Sequence, residues 1–223
     1  MTYINMILIF DLDDTLYQEI DYVKSGFKNV ALFLSPILKI KSEKIFEEMI
    51  NILKKDGRGK VFDTLLDAKN NKNLTLIKKC LQIYRTHIPK IKLNPEADEI
   101  ISKLGRKAYV VTDGNKLVQN RKINALKISN KFKKIFITHN YGVKNAKPSI
   151  HCFALIKKIE SCKWNDMTYI GDNPYKDFVN LNPLGVNTIR LINGSYRNVK
   201  VDKKYEANYK INSLAEIFKI IEY

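Results

Sequence analysis

Cysteine, histidine and long apolar runs are scarce in this chain of 223 residues. The three cysteines, Cys80, Cys152 and Cys162, are odd in number and form no CxxC pair. This argues against a disulfide framework or a zinc site and favours a reducing compartment. The apolar start spans only about ten residues and runs into acids, so we expect neither a signal peptide nor a membrane span. We predict a cytoplasmic protein.

The few histidines and cysteines carry no recognisable catalytic pattern. His87, His139 and His151 lack the spacing of a triad or a metal site, so we expect solvated or hydrogen-bonded roles for them. Cys152 and Cys162 are expected in the core. The chemistry of the chain must therefore depend on other residues.

Acidic residues are outnumbered by basic ones, 23 against 39, which gives a net charge of +16. Such a balance invites a nucleic-acid partner. However, the lysines are scattered, often in pairs, and neither an aromatic RNA-binding motif nor an arginine tract accompanies them. We expect most of them on a solvated surface and nucleic acid not to be the main partner, although their field could steer an anionic small substrate.

Three carboxylates, Asp11, Asp13 and Asp14, follow directly after the apolar run 6–10. Two carboxylates about 4 Å apart repel each other by about 4 kcal/mol at an effective dielectric of about 20, so the cluster needs a proton, a cation or solvent. Strand alternation places Asp11 and Asp13 on one side. One could attack an electrophile while the other handles protons. The alternative is an acidic loop after an edge strand.

Helix-like and strand-like patterns divide the rest of the chain. Residues 18–92 show apolar positions at helical spacing and almost no strand character. Strands are predicted at 108–112, 135–138, 167–170 and 187–191. Helices are predicted at 94–104, with Asn94 as the N-cap, and at 116–126, 149–159 and 175–181. A capping box at 213–216 predicts a final short helix. The alternation predicts an α/β fold with a parallel sheet, whose ligands lie at the carboxyl ends of the strands.

Three further segments follow predicted strands or precede a predicted helix. Thr112 supplies a hydroxyl, and the amides after it could hold a phosphoryl oxygen. Lys147 precedes Pro148 near a helix start, and a second acid pair, Asp172 and Asp177, begins at a strand end. Together with Asp11 and Asp13, these residues supply the groups that metal-assisted phosphoryl transfer requires.

In this order the motifs resemble those of the haloacid dehalogenase superfamily. The matching elements are Asp11-Leu12-Asp13-Asp14-Thr15, then Thr112, then Lys147, then Gly171-Asp172 through Asp177. The resemblance, over roughly residues 5–195, implies a Rossmann-like parallel sheet core with helices on both faces and an inserted α-helical cap. We therefore expect the core in residues 1–16 and 93–223 and the cap in residues 17–92.

The same resemblance implies a role for each site residue. Asp11 would attack phosphorus, Asp13 would protonate the leaving oxygen and later activate water, and Lys147 would offset charge. Phosphate contacts would come from Thr112, Asp113, Gly114 and Lys147. Mg²⁺ would be held by the Asp11 carboxylate, the Asp13 carbonyl, Asp172 and Asp177, which suits its preference for oxygen ligands. Asp14 is expected to shape the turn after the strand.

The presence of Asp13 favours one activity within the superfamily. Dehalogenating members resemble the phosphatases but lack this second aspartate, whereas an alkoxide leaving group needs a proton. We therefore predict a phosphatase acting on a small phosphorylated metabolite of sugar phosphate or nucleotide type. Arg58, in a glycine-flanked turn of the predicted cap, is a candidate substrate contact or a simple surface arginine. A phosphomutase or phosphotransferase, and a non-catalytic binding protein on a hydrolase fold, remain alternatives.

Overall fold

One parallel sheet organises the fold in the computed structural model, which describes residues 6–221. Among these residues, six strands pair in the order β3-β2-β1-β4-β5-β6, and every pair is parallel. The strands are β1 (Ile7–Phe10), β2 (Tyr109–Thr112), β3 (Lys134–Ile137), β4 (Met167–Gly171), β5 (Asn187–Leu191) and β6 (Tyr209–Ile211). The predicted parallel α/β fold is confirmed.

Eight α-helices accompany these strands in the described part of the chain. They are α1 (Glu19–Leu38), α2 (Ser42–Asp56), α3 (Val61–Ala68), α4 (Leu74–Thr86), α5 (Pro95–Leu104), α6 (Lys116–Ala125), α7 (His151–Glu160) and α8 (Ile217–Ile221). No helix within residues 6–221 is long and apolar enough to cross a membrane.

The central strand β1 pairs with β2 on one side and β4 on the other. Phe10 is in register with both Val110 and Ile170. β2 and β4 are buried along their whole length, as expected for parallel strands that are covered on both faces. Alternation sends Ile9 and Tyr169 into one cluster, where α7 contributes its own buried side chains.

By its contacts the chain divides into two compact units, which we call the core unit (1–19 and 92–223) and the helical unit (20–91). Four helices and no strand make up the helical unit. Its centre is a buried cluster that includes Val30, Leu34 and Met49. Gly26 is needed there, because a Cβ at this position would lie 2.4 Å from the Tyr84 ring.

Two local predictions are wrong. Residues 175–181 form successive turns instead of a helix, because the side chains of Lys176 and Asp177 pair with Asp113 and Lys147. Asn94 precedes α5 as predicted, but its side chain does not cap the helix. Its amide instead donates to the Thr15 carbonyl oxygen at 3.4 Å. The capping box at Ser213 and its short helix are present, with α8 following a single 3₁₀ turn.

Candidate active site

The carboxyl ends of three neighbouring strands bring the predicted site residues to one edge of the sheet. β1 ends just before Asp11, β2 ends at Thr112 and β4 ends just before Asp172. The Asp11 amide continues the pairing of β1 with β4 by donating to the Ile170 carbonyl oxygen at 2.8 Å. The nucleophile candidate therefore has a fixed backbone, since it extends a buried strand.

Lys147 lies among buried carboxylates. Its Nζ is 3.0 Å from Asp11 Oδ1 and 2.8 Å from Asp177 Oδ1, and it donates to Tyr169 Oη at 2.8 Å. Burial by itself would lower the pKa of Lys147, but Asp11 and Asp177 raise it well above its ordinary value. The ammonium is therefore held charged between the two acids.

Asp11, Asp172 and Asp177 form a group with the geometry of a metal site. Each offers one carboxylate oxygen, the three oxygens lie within 4.8 Å of one another, and all three residues are buried. Burial raises the pKa of Asp11 to about 7, with Lys147 opposing the shift and Asp177 adding to it. Burial, Asp11 and Asp177 raise the pKa of Asp172 to about 9. This excess of buried acids fits a hard divalent cation such as Mg²⁺.

The glycine at the end of β4 allows this arrangement. A Cβ on Gly171 would lie 2.5 Å from Asp177 Oδ2. The same oxygen accepts a hydrogen bond from the Asn173 amide at 2.9 Å. The chain therefore folds back on itself within six residues, and the second acid pair converges on Lys147 and Asp11 without a helix.

Asp113 fixes the loop that carries Lys147. Its Oδ1 accepts hydrogen bonds from Thr138 Oγ1 at 2.7 Å and from the Lys147 amide at 3.0 Å, while Oδ2 is 3.3 Å from Lys176 Nζ. Burial alone would raise the pKa of Asp113, but Lys147 and Lys176 lower it overall. Both carboxylate oxygens of Asp113 thus have partners within the protein. A phosphate contact from Asp113 and Gly114 stays a prediction.

Asp13 points to a different set of partners from Asp11. Its Oδ1 accepts from Lys122 Nζ at 2.7 Å and from the Tyr17 hydroxyl, and its Oδ2 accepts from Gln119 Nε2 at 2.9 Å. Burial would raise the pKa of Asp13, but Lys122 above all, with help from Tyr17 and Gln119, lowers it. Its side chain is not in the three-carboxylate group, and the predicted metal contact of its carbonyl stays a prediction.

Thr112 and Asp14 complete the strand ends. The Thr112 hydroxyl is fully buried and accepts from Gln119 Nε2 at 2.9 Å. Asp14 has a positive φ of 52°, and its Oδ1 accepts from the Glu19 amide at 2.8 Å while its Oδ2 accepts from the Ser195 amide at 3.4 Å. Asp14 therefore shapes the turn after β1, in line with the prediction.

Several other residues are not members of the three-carboxylate group. Arg58 is in the exposed turn between α2 and α3 of the helical unit. His87 is buried in that unit with Nδ1 2.7 Å from the Tyr84 carbonyl oxygen, and the three-carboxylate group contains no histidine. Cys152 is buried in the hydrophobic cluster that contains Ile9 and Tyr169. Cys162 is partly exposed and packs against that cluster.

Sequence reasoning missed four polar residues that contact the site. These are Tyr17, Gln119, Lys122 and Lys176. A signal was present for two of them, since Gln119 and Lys122 are spaced three apart on the helix that follows Thr112. Both are buried in the structure, whereas a polar pair on a helix reads as solvated surface in a sequence.

Comparison with known proteins identifies the family of the chain. A family model described as haloacid dehalogenase-like hydrolase matches residues 8–191. A glyceraldehyde 3-phosphate phosphatase of Methanocaldococcus jannaschii is 30% identical over 96% of both chains. A protein of the same name from Pyrococcus furiosus is 25% identical over 97% of this chain and 92% of its own length.

A solved structure shares the fold. The putative HAD-hydrolase YfnB of Bacillus subtilis, bound to magnesium, superposes with a TM-score of 0.68 at 18% identity, over 98% of this chain and 99% of that one. At this identity the likeness concerns the fold alone. The family model and the 30% identical relative confirm the predicted superfamily. The chain belongs to the haloacid dehalogenase-like hydrolases.

Proposed function

We propose that this protein is a Mg²⁺-dependent phosphatase that hydrolyses a small phosphomonoester through an aspartyl-phosphate intermediate. The observation that carries the proposal is the pairing of two aspartates with opposite surroundings at the end of β1. Asp11 lies against Lys147 and two further acids, and Asp13 is held by neutral and cationic donors. Relatives named glyceraldehyde 3-phosphate phosphatase support the predicted activity.

In the first step, an Asp11 carboxylate oxygen attacks phosphorus and the bond from phosphorus to the ester oxygen breaks. The departing alkoxide takes a proton from Asp13. Because the pKa of Asp13 is lowered in the free protein, this proton first passes to Asp13 from the monoanion of the bound phosphate ester. In the second step, water gives a proton to Asp13 and attacks the aspartyl-phosphate. The bond between phosphorus and the Asp11 oxygen breaks, which releases inorganic phosphate and restores both aspartates.

The surrounding groups bind and balance charge. The Thr112 hydroxyl and the amides after it hold phosphoryl oxygens, and Lys147 offsets the negative charge that develops between Asp11 and the phosphoryl group. Mg²⁺, held by Asp11, Asp172 and Asp177, with the Asp13 carbonyl as the further ligand expected from the family, would supply a positive charge that stabilises the transferring phosphoryl group.

The proposed substrate is a small alkyl phosphate, and glyceraldehyde 3-phosphate is the first compound to test because relatives carry its name. The helical unit is proposed to act as a cap, with Arg58 as a contact to the leaving group. A cytoplasmic location stays a prediction, supported by three cysteines that are all free.

The test measures inorganic phosphate released from glyceraldehyde 3-phosphate and from para-nitrophenyl phosphate, with Mg²⁺ or with EDTA. We expect Asp11→Asn to lose activity by roughly 10³-fold or more, because it removes the nucleophile. Asp98→Asn, an exposed aspartate on α5, is the matched control and should keep full activity. Equal turnover in wild type and Asp11→Asn would rule out the mechanism, and isomerised substrate without phosphate release would indicate a phosphomutase.

A further inference from the structure

A buried lysine outside the family motifs contacts the Asp13 carboxylate. Lys122 lies on α6, its side chain is 4% exposed, and its Nζ is 2.7 Å from Asp13 Oδ1 and 3.7 Å from Glu19 Oε1. A buried ammonium is costly unless it is paired, so this position is not a solvated helix face. Lys122 therefore takes part in the structure around Asp13.

Gln119 ties the same carboxylate to the predicted phosphate-binding hydroxyl. Its Nε2 is 2.9 Å from Asp13 Oδ2 and 2.9 Å from Thr112 Oγ1. Gln119 is 1% exposed and lies one helical turn before Lys122, so both side chains point the same way. One face of α6 thus fixes the relative position of Asp13 and Thr112.

The two oxygens of Asp13 are not equivalent in this arrangement. Oδ1 accepts from the Lys122 ammonium and the Tyr17 hydroxyl, whereas within residues 6–221 Oδ2 accepts only from the Gln119 amide. Oδ1 is taken by these two donors, so Oδ2, on the Thr112 side, is the oxygen that can face a leaving group. Transfer to an ester oxygen needs the two oxygens within about 2.6–3.2 Å of each other, which a freely rotating carboxylate would not maintain.

We propose that Lys122 is a positioning residue that holds the Asp13 carboxylate so that Oδ2 delivers the proton to the leaving oxygen. This rests on the proposed phosphatase function. In the first step the Oδ2–H bond breaks as the ester oxygen leaves phosphorus and takes the proton. In the second step Oδ2 takes a proton from the attacking water. Lys122 itself neither gains nor loses a proton.

The test compares leaving groups that need a proton with leaving groups that do not. kcat/KM covers the steps up to formation of the aspartyl-phosphate, and it is measured for glyceraldehyde 3-phosphate, which releases an alkoxide, and for para-nitrophenyl phosphate, which releases a stable phenolate. We expect Lys122→Met to lose at least about tenfold more on the alkyl phosphate than on the aryl phosphate, since positioned acids contribute about 10²–10⁴-fold. Asp13→Asn removes the acid itself, so it gives the largest difference between the losses on the two substrates that is expected from missing proton transfer.

Controls separate positioning from stability. Lys122→Arg should restore much of the alkyl phosphate activity, and Lys103→Met, which removes a lysine from an exposed pair with Glu99, should change neither value. Thermal unfolding of each variant is recorded, and if Lys122→Met does not fold, Lys122→Gln is compared with Lys122→Arg in the same way. Equal losses on the two substrates in the folded neutral variant would overturn the proposal.

Failure of the proposed function gives a different result. In that case wild type would release no phosphate from either substrate with Mg²⁺, or Asp11→Asn would be as active as wild type. An active wild type that depends on Asp11, together with a Lys122 variant that loses equally on both substrates, would leave the phosphatase standing and reject only the role of Lys122.

Discussion

The two aspartates that flank Leu12 belong to regions of opposite character. On the Asp11 side, three buried carboxylates gather around Lys147. On the Asp13 side, one carboxylate meets a lysine, an amide and a phenol. The pKa of Asp11 is raised to about 7, mainly by burial, whereas the pKa of Asp13 is lowered because its donors outweigh its burial.

This difference shows how one short motif supplies two chemistries. Asp11 extends β1 towards the acid pair that follows β4, and Asp13 reaches the face of α6. The Asp11 side carries an excess of negative charge and benefits from a cation, whereas the Asp13 side is already balanced by protein groups. The neighbouring elements, and not the aspartates themselves, make the two residues different.

The largest expected effect comes from removing the cation on the Asp11 side. Lys147→Met leaves Asp11 and Asp177 buried without their partner. We expect the free energy of unfolding in EDTA to fall by about 3–5 kcal/mol and phosphatase activity to fall by roughly 10²–10³-fold. Urea unfolding and phosphate release measure the two effects. A larger loss of stability in Lys122→Met than in Lys147→Met would break the comparison.

The next effect concerns pH and metal at Asp172. Its pKa is raised from 3.8 to about 9 on folding, so the folded state binds this proton more tightly than the unfolded state does. In metal-free protein, Asp172 leaves the free energy of unfolding unchanged below pH 3.8. It lowers that free energy as the pH rises from 3.8 to about 9. Asp172→Asn should remove part of the decline, as seen by urea unfolding in EDTA across that range.

Added Mg²⁺ sharpens the same prediction. A cation bound only by the folded state at a hundredfold excess over its Kd stabilises wild type by about 2.7 kcal/mol. We expect Asp172→Asn to lose most of this gain and Asp98→Asn to keep it. If Mg²⁺ stabilises Asp172→Asn as strongly as wild type, the three-carboxylate group is not the metal site.

The smallest effect is expected at Lys176. Its side chain is 30% exposed, and its Nζ is 3.3 Å from Asp113 Oδ2. Asp113 keeps its hydrogen bonds to Thr138 and to the Lys147 amide without it. Lys176→Met should lower the free energy of unfolding by at most about 1 kcal/mol and reduce activity only a few-fold. A loss as large as that of Lys147→Met would show that Lys176 is as important as Lys147 for the charge balance of the site.

Much of the core could be predicted because buried parallel strands are nearly continuous apolar runs. The strand predicted at 108–112 is Tyr109–Thr112, and the one predicted at 187–191 has those bounds. The helical spacing of Phe178 and Leu181 predicts a helix at 175–181, and this prediction is wrong. The ion pairs of Lys176 with Asp113 and of Asp177 with Lys147 decide the backbone there instead.

The site residues also fall into a set that the sequence predicts and a set that it does not. Asp11, Lys147, Asp172 and Asp177 follow strand ends or precede a helix, so the topology of a parallel sheet brings them together, as the structure shows. The partners of Asp13 come from within α6, where sequence spacing cannot tell a buried polar face from a solvated one. Only the three-dimensional structure distinguishes the two cases.

The register of β1 also governs when a site can exist during folding. Phe10 pairs with Val110 and Ile170, so β1 waits for partners that are synthesised far later. Pairings at such separation form slowly, since the entropy of closing the chain precedes the gain from the contacts. A nascent or truncated chain that ends before β4 therefore holds the Asp11 motif without the acid pair that completes it.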